Sequence, residues 1–492
     1  MDSVVKLGPV LILLAVAGVI ILADVTFLVL GERLVLRKRL AMAGLALAGA
    51  GASILWSALL IIADAQGEAF EGTLTVDKFT LFFNFLFAGI AAIVVLASID
   101  YMRRSPFYAE YYALVLTATA GLMLLASTLN LIAIFIALEL TSVTQYILVA
   151  LSKDGRSSEA GLKYLLLGAI SAAVTLYGMA YLFGLSGSTD LREIAQAIAN
   201  ASDDQRAGYV LATVFLVAGL GFKMAVVPFQ MWVPDVYQGA PTPVTAYLSV
   251  GSKAAGFAVV MRIFLVALDD ELINSDWSIL FAVVAAVSMT LGNVIALAQS
   301  NIKRMLGYSS IAQAGNFLIG LAAIAAADPQ LELGSSSVVF FLAAYAFTNL
   351  GAFVAIIAIS NKIRSDEIDD YAGMARRAPL LALGLTLCLI SLTGIPPTAG
   401  FIAKFYIFNA AVRADLIWLA VVGVLNSVVS AYYYLRVVLN MYTLAPASEE
   451  RVYAGPYLGL AMATATIGLL VIGIFPSPLL EAAEAATAVF TS

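Results

Sequence analysis

Residues 221–234 read Gly-Phe-Lys-Met-Ala-Val-Val-Pro-Phe-Gln-Met-Trp-Val-Pro, and their two prolines interrupt a long apolar segment, 208–237. A second apolar segment, 380–412, contains Gly-Ile-Pro-Pro at residues 394–397. Because proline removes a backbone donor and clashes with the preceding turn, each segment should break as a helix near its middle. Inside a membrane, such a break is tolerated only where it is buried in protein or lines a wet cavity. The two stretches therefore predict a membrane protein with two discontinuous helices.

The rest of the chain has the composition of a protein that crosses the membrane many times. Of its 492 residues, 62% are hydrophobic and only 12% are charged, whereas a soluble domain carries about 25% charged residues. We therefore expect an all-α integral membrane fold with about fourteen transmembrane segments. These segments, numbered 1 to 14, are 7–30, 40–62, 79–99, 112–126, 131–151, 161–185, 208–237, 245–267, 279–299, 305–327, 337–359, 380–412, 416–439 and 457–474.

The charges in the loops predict the orientation, because basic residues concentrate in cytoplasmic loops. Basic residues follow segments 1, 3, 5 and 9: Arg33, Arg37, Lys38, Arg39, Arg103, Arg104, Lys153, Arg156, Lys163, Lys303 and Arg304. Acidic residues follow segments 2 and 8: Asp64, Glu68, Glu71, Asp77, Asp269, Asp270, Glu271 and Asp276. Odd-numbered segments should therefore end in the cytoplasm, and both termini should lie on the non-cytoplasmic side.

The two predicted breaks lie five segments apart. This spacing predicts two five-helix repeats, segments 4–8 within residues 111–268 and segments 9–13 within 269–440. Five is an odd number, so the second repeat should be inverted, as is typical of transporters with discontinuous helices. Residues 1–110 would hold segments 1–3, and residues 441–492 would hold segment 14 and a tail. The competing interpretation is two ordinary proline kinks, since proline is frequent in membrane helices.

Four ionisable residues lie at similar depth within the predicted segments: Glu139, Lys223, Lys253 and Lys404. A charge at the bilayer centre costs about 2.5–3.5 kcal/mol even on the lenient insertion scale. Desolvation disfavours the charged form of an amine and a nearby carboxylate favours it, so a Glu–Lys pair can load and release a proton. A row of lysines joined by water would form a relay. A static buried salt bridge is the alternative for Glu139 with Lys223, but Lys253 and Lys404 have no equally obvious acidic partner.

Other polar residues admit simpler interpretations. Lys163 opens segment 6 near the cytoplasmic side and is either a relay input or a snorkelling anchor. Arg262 and Arg436 lie toward helix ends, where they would anchor the helices at the interface. The chain has no histidine and a single cysteine, Cys388. This composition excludes a disulfide framework and argues against a haem, an Fe–S cluster or a zinc site held by this chain.

Three stretches carry a resemblance to a known family. Residues 221–247, with the element Asp-Val-Tyr-Gln-Gly-Ala-Pro-Thr-Pro-Val, are the most specific, and residues 301–312 and 394–405 support them. The chain resembles the antiporter-like membrane subunits of respiratory complex I, and among them subunit N, the counterpart of mitochondrial and chloroplast subunit 2. The resemblance is strong from about residue 111 to residue 440.

The resemblance implies roles for the buried charges. Glu139 and Lys223 would form a modulating ion pair, Lys253 would be the central relay residue, and Lys404 would release the proton. Lys163 matches a further functional lysine of the family. The quinone, the FMN and the Fe–S clusters would all lie in partner subunits. The partners themselves would be sister antiporter-like subunits and small membrane subunits.

The chain departs from the family at two positions. The family usually has histidine where Gln230 stands, and often where Gln313 stands. Glutamine cannot titrate near neutral pH and can only hold water or form hydrogen bonds. Both glutamines are thus supporting residues of the expected relay, together with the break prolines Pro228, Pro396 and Pro397.

Three functions remain open on the sequence. The first is a proton-translocating subunit of a complex I-type NAD(P)H- or ferredoxin-quinone oxidoreductase. The second is an Mrp-type cation/proton antiporter subunit, which the subunit N signature around Asp235 disfavours. The third is a structural membrane spacer with weakened transport, which the two glutamines favour and the retained row of lysines opposes. The membrane would be a bacterial plasma membrane, with a thylakoid as the alternative.

Overall fold

The computed structural model of this chain describes residues 2–30, 35–103, 105–270, 273–325, 333–446 and 448–490. Arg33, Arg104 and Glu271, which entered the orientation argument, lie outside the described residues. The described part is helical apart from loops and one antiparallel hairpin, in which β1 (Gly67–Ala69) pairs with β2 (Leu74–Val76).

The α-helices are α1 Asp2–Lys6, α2 Gly8–Leu30, α3 Val35–Ile62, α4 Lys78–Met102, α5 Tyr108–Ser127, α6 Leu131–Val149, α7 Gly155–Ser186, α8 Leu191–Ala199, α9 Asp203–Met224, α10 Trp232–Gly239, α11 Thr242–Tyr247, α12 Lys253–Val266, α13 Asn274–Leu297, α14 Ile302–Ala325, α15 Leu333–Ile363, α16 Met374–Arg377, α17 Pro379–Thr393, α18 Ala399–Arg413, α19 Ile417–Thr443, α20 Pro456–Ile474 and α21 Ser477–Thr487. A π-helical turn, Leu248–Ser252, joins α11 to α12, and 3-10 turns lie at Ile368–Tyr371 and Ala488–Phe490.

The predicted all-α membrane fold is confirmed. Twelve helices of the described chain are long and apolar enough to cross a membrane. They correspond to twelve of the fourteen predicted segments. The other two segments are also helical: α14 forms segment 10, and α17 with α18 forms the broken segment 12.

The loops divide between two faces of the helical bundle. On one face, Leu129 N donates to Thr73 O and Leu131 N donates to Thr189 O, which joins the loops after segments 2, 4 and 6. We name this the even face. On the opposite odd face, Ile302 N donates to Asp366 O, which joins the loops after segments 9 and 11. The chain therefore alternates in direction as the predicted segment count requires.

Both ends of the described chain lie on the even face. Near its start, Lys6 Nζ donates to Glu68 O at 3.0 Å, in the loop after segment 2. Near its end, the Phe490 ring packs edge-on against Phe79, at the start of segment 3. The two ends thus lie on one side of the membrane, and the assignment of that side as non-cytoplasmic stays a prediction.

Segment 7 breaks at the predicted prolines. Helix α9 ends at Met224, and Ala225 follows with a left-handed φ of 62°. The Val227–Pro228 peptide bond is cis, and α10 begins at Trp232. The chain leaves the helix and starts a new one, so an ordinary proline kink does not describe this segment.

Segment 12 breaks in the same way. Helix α17 ends at Thr393, and Gly394 has a φ of 92°, in the left-handed region that favours glycine. The Pro396–Pro397 peptide bond is cis, and α18 begins at Ala399. The shared pattern fits the two-repeat interpretation, while the domain boundaries themselves stay a prediction.

Two segments occupy the centre of the bundle. In the most apolar stretch of Thr242–Val266 and of Leu333–Ile363, 94% of the residues are buried within the chain, a far larger share than in the outer segments. The first contains the π-helical turn and the second is α15. The charged residues Lys253 and Arg262 on the first of these segments are therefore surrounded by protein instead of lipid.

Candidate functional site

Lys223 lies in the last turn of α9, immediately before the first break, and is 4% exposed. Its Nζ donates to Thr141 Oγ1 and to Gln145 Oε1, both at 3.0 Å. These two acceptors are four residues apart on α6, so they lie on the same helix face. The buried amine is held by neutral acceptors.

Glu139 also lies on α6 and is half-buried. It lines the same cavity as Lys223, a space of about 20 Å³, which is enough for about one water molecule. Within the described residues, Glu139 forms no ion pair at 4.0 Å or less with Lys223. The structure places the two predicted partners in one cavity without an ion pair between them.

Gln145 is a hydrogen-bond hub that sequence reasoning missed. Its side chain is fully buried, and its Oε1 accepts from Lys223, from Tyr164 at 3.1 Å and from Ser252 at 3.1 Å. A carbonyl oxygen has two lone pairs, so three donors compete for them. The Gln145 Nε2 group is buried and has no hydrogen-bond partner among the described residues. Gln145 thus connects Lys223 to Ser252, the residue immediately before Lys253.

Lys253 starts α12 directly after the π-helical turn and is 2% exposed. Its Nζ donates to Ser310 Oγ at 2.6 Å and also to Ser310 O. The hydroxyls of Tyr237 and Tyr345 each lie 3.2 Å from Ser310 Oγ. No carboxylate of the described chain pairs with Lys253; its hydrogen-bond acceptors are a hydroxyl and a carbonyl group, and the centroid of the Tyr345 ring lies 5.9 Å from the amine.

Lys404 lies on α18, just past the second break, and is 5% exposed. Its Nζ donates to Thr393 O at 2.9 Å and to Ser427 Oγ at 3.0 Å. Thr393 is the last residue of α17, so the cation lies at a helix C-terminus, where the helix dipole favours positive charge. The left-handed turn at Gly394 leaves this carbonyl free to accept from the lysine.

Gln313 reaches the same helix end. Its Nε2 donates to Leu392 O at 3.1 Å, one residue before the acceptor of Lys404. Asn316 Nδ2 in turn donates to Gln313 Oε1 at 3.0 Å. Ser310, Gln313 and Asn316 are spaced by three residues along α14 and form one polar stripe. This stripe joins the surroundings of Lys253 to those of Lys404.

The remaining predicted residues lie at the edges of this arrangement. Gln230, in the first break, is half-buried, and its Oε1 has no hydrogen-bond partner among the described residues. The break prolines Pro228, Pro396 and Pro397 are exposed on the outside of the chain. The lysines of the two breaks therefore point inward while the prolines form the outer surface.

Lys163 belongs to a separate cluster on the odd face. Its side chain is 43% exposed, and its Nζ pairs with Glu159 at 2.8 Å and with Asp235 at 2.9 Å. Arg304 pairs with the other Asp235 oxygen at 2.6 Å. The structure thus does not bring Lys163 into contact with the buried lysines.

Arg262 is the buried cation whose surroundings the sequence did not predict. It is 2% exposed, and its guanidinium binds both oxygens of Asp77, at 2.8 and 2.7 Å. Its Nε donates to Ala126 O at 2.9 Å, at the end of α5, and it also donates to Thr80 Oγ1. This cation is bound by a carboxylate, unlike Lys223, Lys253 and Lys404.

Fourteen helical segments in the described chain, two of them broken beside buried lysines, define the class of antiporter-like membrane subunits. The family model for the transmembrane region of NADH:quinone oxidoreductase and Mrp antiporter subunits matches residues 127–430. NADH-quinone oxidoreductase subunit N from Dehalococcoides mccartyi is 45% identical over 476 residues, covering 95% of this chain and 98% of the relative. Subunit N from Moorella thermoacetica is 44% identical, covering 88% and 89%. The chain belongs to the NADH-quinone oxidoreductase subunit N family, as its motifs predicted.

Solved structures show the same fold. A chain of respiratory complex I from Thermus thermophilus superposes with a TM-score of 0.79 at 32% identity, covering 96% of this chain and 98% of that one. A chain of the archaeal membrane-bound sulfane sulfur reductase gives 0.87 at 25% identity, covering 100% and 98%. A chain of the Mrp complex from Dietzia gives 0.83 at 20% identity, covering 100% and 98%. The last likeness concerns the fold alone.

Proposed function

We propose that this chain is a proton-translocating membrane-arm subunit of a complex I-type quinone oxidoreductase. The electron donor would be NADH, NADPH or ferredoxin, and electron transfer to quinone would take place in partner subunits that hold FMN and Fe–S clusters. The observation that carries the proposal is the burial of Lys223, Lys253 and Lys404 together with the uncharged groups that bind them. All three are at most 5% exposed, and each is bound by hydroxyl, amide or carbonyl oxygens.

The contrast with Arg262 argues against a purely structural role for these lysines. Arg262 is fixed by a bidentate carboxylate, which is how a permanent buried charge is stabilised. The three lysines have no such counter-charge among the described residues. A lysine can lose its proton when it is buried, whereas a guanidinium stays charged. The lysines are therefore suited to alternate between charged and neutral states.

The polar contacts suggest an order for the proton path. Lys223 connects through Gln145 to Ser252, next to Lys253. Beyond Lys253, the stripe on α14 leads to the end of α17, where Lys404 lies. Hydroxyl groups can pass protons along hydrogen bonds, but the amides of Gln145 and Gln313 cannot titrate. Water beside these amides would have to complete the path.

In this proposal Glu139 controls the first lysine. A proton on Glu139 would remove its attraction for the charged Lys223 and favour release from the amine. The shared cavity places one water-sized space next to both groups. Lys163, with its two carboxylate partners on the odd face, would collect protons at the cytoplasmic entrance. This assignment takes the odd face as cytoplasmic in a bacterial plasma membrane.

The proposal is tested by replacing Lys223 with alanine in the assembled complex. We expect Lys223→Ala to lower the number of protons moved per quinone reduced while the complex still assembles, because the first proton carrier is lost. Proton uptake by proteoliposomes and quinone reduction would be measured together. Lys362→Ala, which removes an exposed lysine from the odd face, is the matched control. If Lys223→Ala moves as many protons per quinone reduced as the unaltered complex does, the relay is refuted.

A second prediction concerns the position where the family usually has histidine. We expect Gln230→His to fold and assemble normally, because Gln230 is half-buried and its Oε1 has no partner to lose among the described residues. If water surrounds this position, the imidazole should also keep or raise the number of protons moved per quinone reduced. Loss of assembly would show instead that Gln230 is tightly packed. Assembly is read from gel filtration of the purified complex.

A Mrp-type antiporter subunit remains the second candidate function, because the family model that matches residues 127–430 covers Mrp antiporter subunits as well. The two functions differ in the transported ion. Proton movement that depends on quinone reduction and is unaffected by Na⁺ supports the proposed function. Proton movement that requires a Na⁺ gradient, without quinone reduction, supports the antiporter.

A further inference from the structure

An apolar groove of about 650 Å³ lies between α17 and α20 and ends at three arginines. Leu380, Leu383, Ala463 and Ile467 are on its walls, and all four are exposed on the outer surface of the chain. None of the buried lysines Lys223, Lys253 and Lys404 lines the groove, and the groove takes no part in the path described above. The depth of the groove in the membrane and the positive charge at its surface end indicate which kind of molecule binds there.

The groove runs from the membrane surface into one half of the bilayer. Both α17 and α20 begin on the odd face, at Pro379 and Pro456. Ile467 lies eleven residues beyond Pro456, which is about 16 Å at 1.5 Å per residue. This length is about half of a 30 Å hydrocarbon core. The groove therefore has the depth of a single acyl chain within one leaflet.

The surface end of the groove is cationic. Arg376, Arg377 and Arg451 all line it, and each lies a few residues before one of the two helix starts. Arg376 and Arg451 are exposed and form no ion pair among the described residues. Arg377 is 8% exposed, and its Nε donates to Glu450 O at 2.9 Å, which fixes its guanidinium at this end.

The neighbouring carboxylates of Glu449 and Glu450 offset only part of the charge of the three arginines, and neither forms an ion pair with one of them within the described residues. The Glu450 carboxylate is engaged by Lys362 at 2.5 Å. Neither α17 nor α20 has a side-chain cap at its start, and the partial positive charge of a helix N-terminus adds to the field.

We propose that this groove binds one anionic phospholipid. Its phosphate would lie among Arg376, Arg377 and Arg451, and an acyl chain would lie against α17 and α20. Cationic pockets between membrane helices on the cytoplasmic side are suited to acidic headgroups. The proposal concerns lipid binding alone, so it does not depend on proton transport by this chain.

Photocrosslinking tests the site in the assembled complex. The complex is placed in phosphatidylcholine nanodiscs with a trace of photoactivatable phosphatidylglycerol, and labelled peptides are identified by mass spectrometry. We expect label on residues 379–387 and 456–467. Unlabelled phosphatidylglycerol should compete about 25-fold better than phosphatidylcholine, since each of the two exposed arginines, Arg376 and Arg451, contributes about fivefold.

Two variants distinguish the contribution of the lipid headgroup to binding from that of the acyl chain. Arg376→Gln with Arg451→Gln should abolish the preference for phosphatidylglycerol, whereas Ala463→Phe should fill the groove and reduce labelling with either lipid. Arg413→Gln, at the exposed end of α18 on the even face, should change neither. Equal competition by the two lipids in the unaltered complex would overturn the proposal. Crosslinks to another subunit in place of lipid would also overturn it, since a protein helix would then fill the groove.

Discussion

Replacing Lys253 by arginine is expected to stop proton transport through this chain although the positive charge is retained. A guanidinium stays protonated under all conditions in which the protein is folded, so the substituted side chain could accept no proton and release none. Removing a group that transfers a proton typically costs about 100-fold or more in rate. The measurement is the number of protons moved per quinone reduced by the complex in proteoliposomes.

The comparison with Lys253→Met makes this test specific. If Lys253 only supplied a fixed charge to hold Ser310, arginine would rescue transport and methionine would not. If Lys253 carries protons, both variants lose transport to the same extent. Lys303→Arg is a matched control, because Lys303 is also buried but is paired with Asp366 at 3.1 Å near the odd face. The number of protons moved per quinone reduced should stay unchanged in Lys303→Arg.

The fold could be predicted from the sequence because its determinants are local. A run of apolar residues long enough to span the bilayer specifies a helix wherever it lies in the chain, and a proline acts on its own turn. The π-helical turn at Leu248–Ser252 has no such signal, since no proline lies within it. It places Lys253 directly after an irregular turn, which the sequence did not indicate.

The partners of the buried charges could not be predicted, because they come from distant parts of the chain. Thr141 and Gln145 lie about 80 residues before Lys223, at separations of 82 and 78, and nothing local marks them as its acceptors. The expected direct pair of Glu139 with Lys223 illustrates the limit. The positions of Glu139 and Lys223 within their predicted segments correctly placed both residues in one region, but the amine binds Thr141 and Gln145 and forms no ion pair with the carboxylate.

Arg262 shows the same limit more clearly, since its carboxylate partner Asp77 lies 185 residues away. The sequence position near a helix end indicated an interfacial anchor. In the folded chain, Asp77 caps the start of α4 by accepting from Thr80 N at 2.8 Å, and Arg262 binds the end of α5 through Ala126 O. The pair therefore fastens α4, α5 and α12 together at the even face.

The ion pair also changes the pKa of the Asp77 carboxyl group. Burial raises the pKa of Asp77, but attraction to Arg262 and the hydrogen bonds from Arg262 and Thr80 outweigh it, so the pKa lies below its ordinary value. A carboxyl whose pKa is lowered by folding stabilises the fold above its unfolded pKa of about 3.9 and loses that contribution as the pH falls through the folded value. The pair should therefore be fully formed at neutral pH.

Asp77→Ala is expected to destabilise the chain more than Arg262→Met, although both remove the same ion pair. The first variant leaves a guanidinium that is 2% exposed without its counter-charge, and breaking a buried pair in this way costs about 3–5 kcal/mol. The second leaves Asp77, whose side chain is 19% exposed, where water can reach it. Methionine would also keep apolar contact with the Phe79 ring, whose centroid lies 4.6 Å from the guanidinium carbon.

Thermal unfolding in detergent at neutral pH measures this difference. The midpoints should rank as unaltered chain, Arg262→Met, then Asp77→Ala. Adding Arg262→Met to Asp77→Ala should recover part of the loss, because the uncompensated charge is then gone. Equal midpoints for the two single variants would mean that the buried guanidinium finds other partners, and that the pair is not what fastens the three helices.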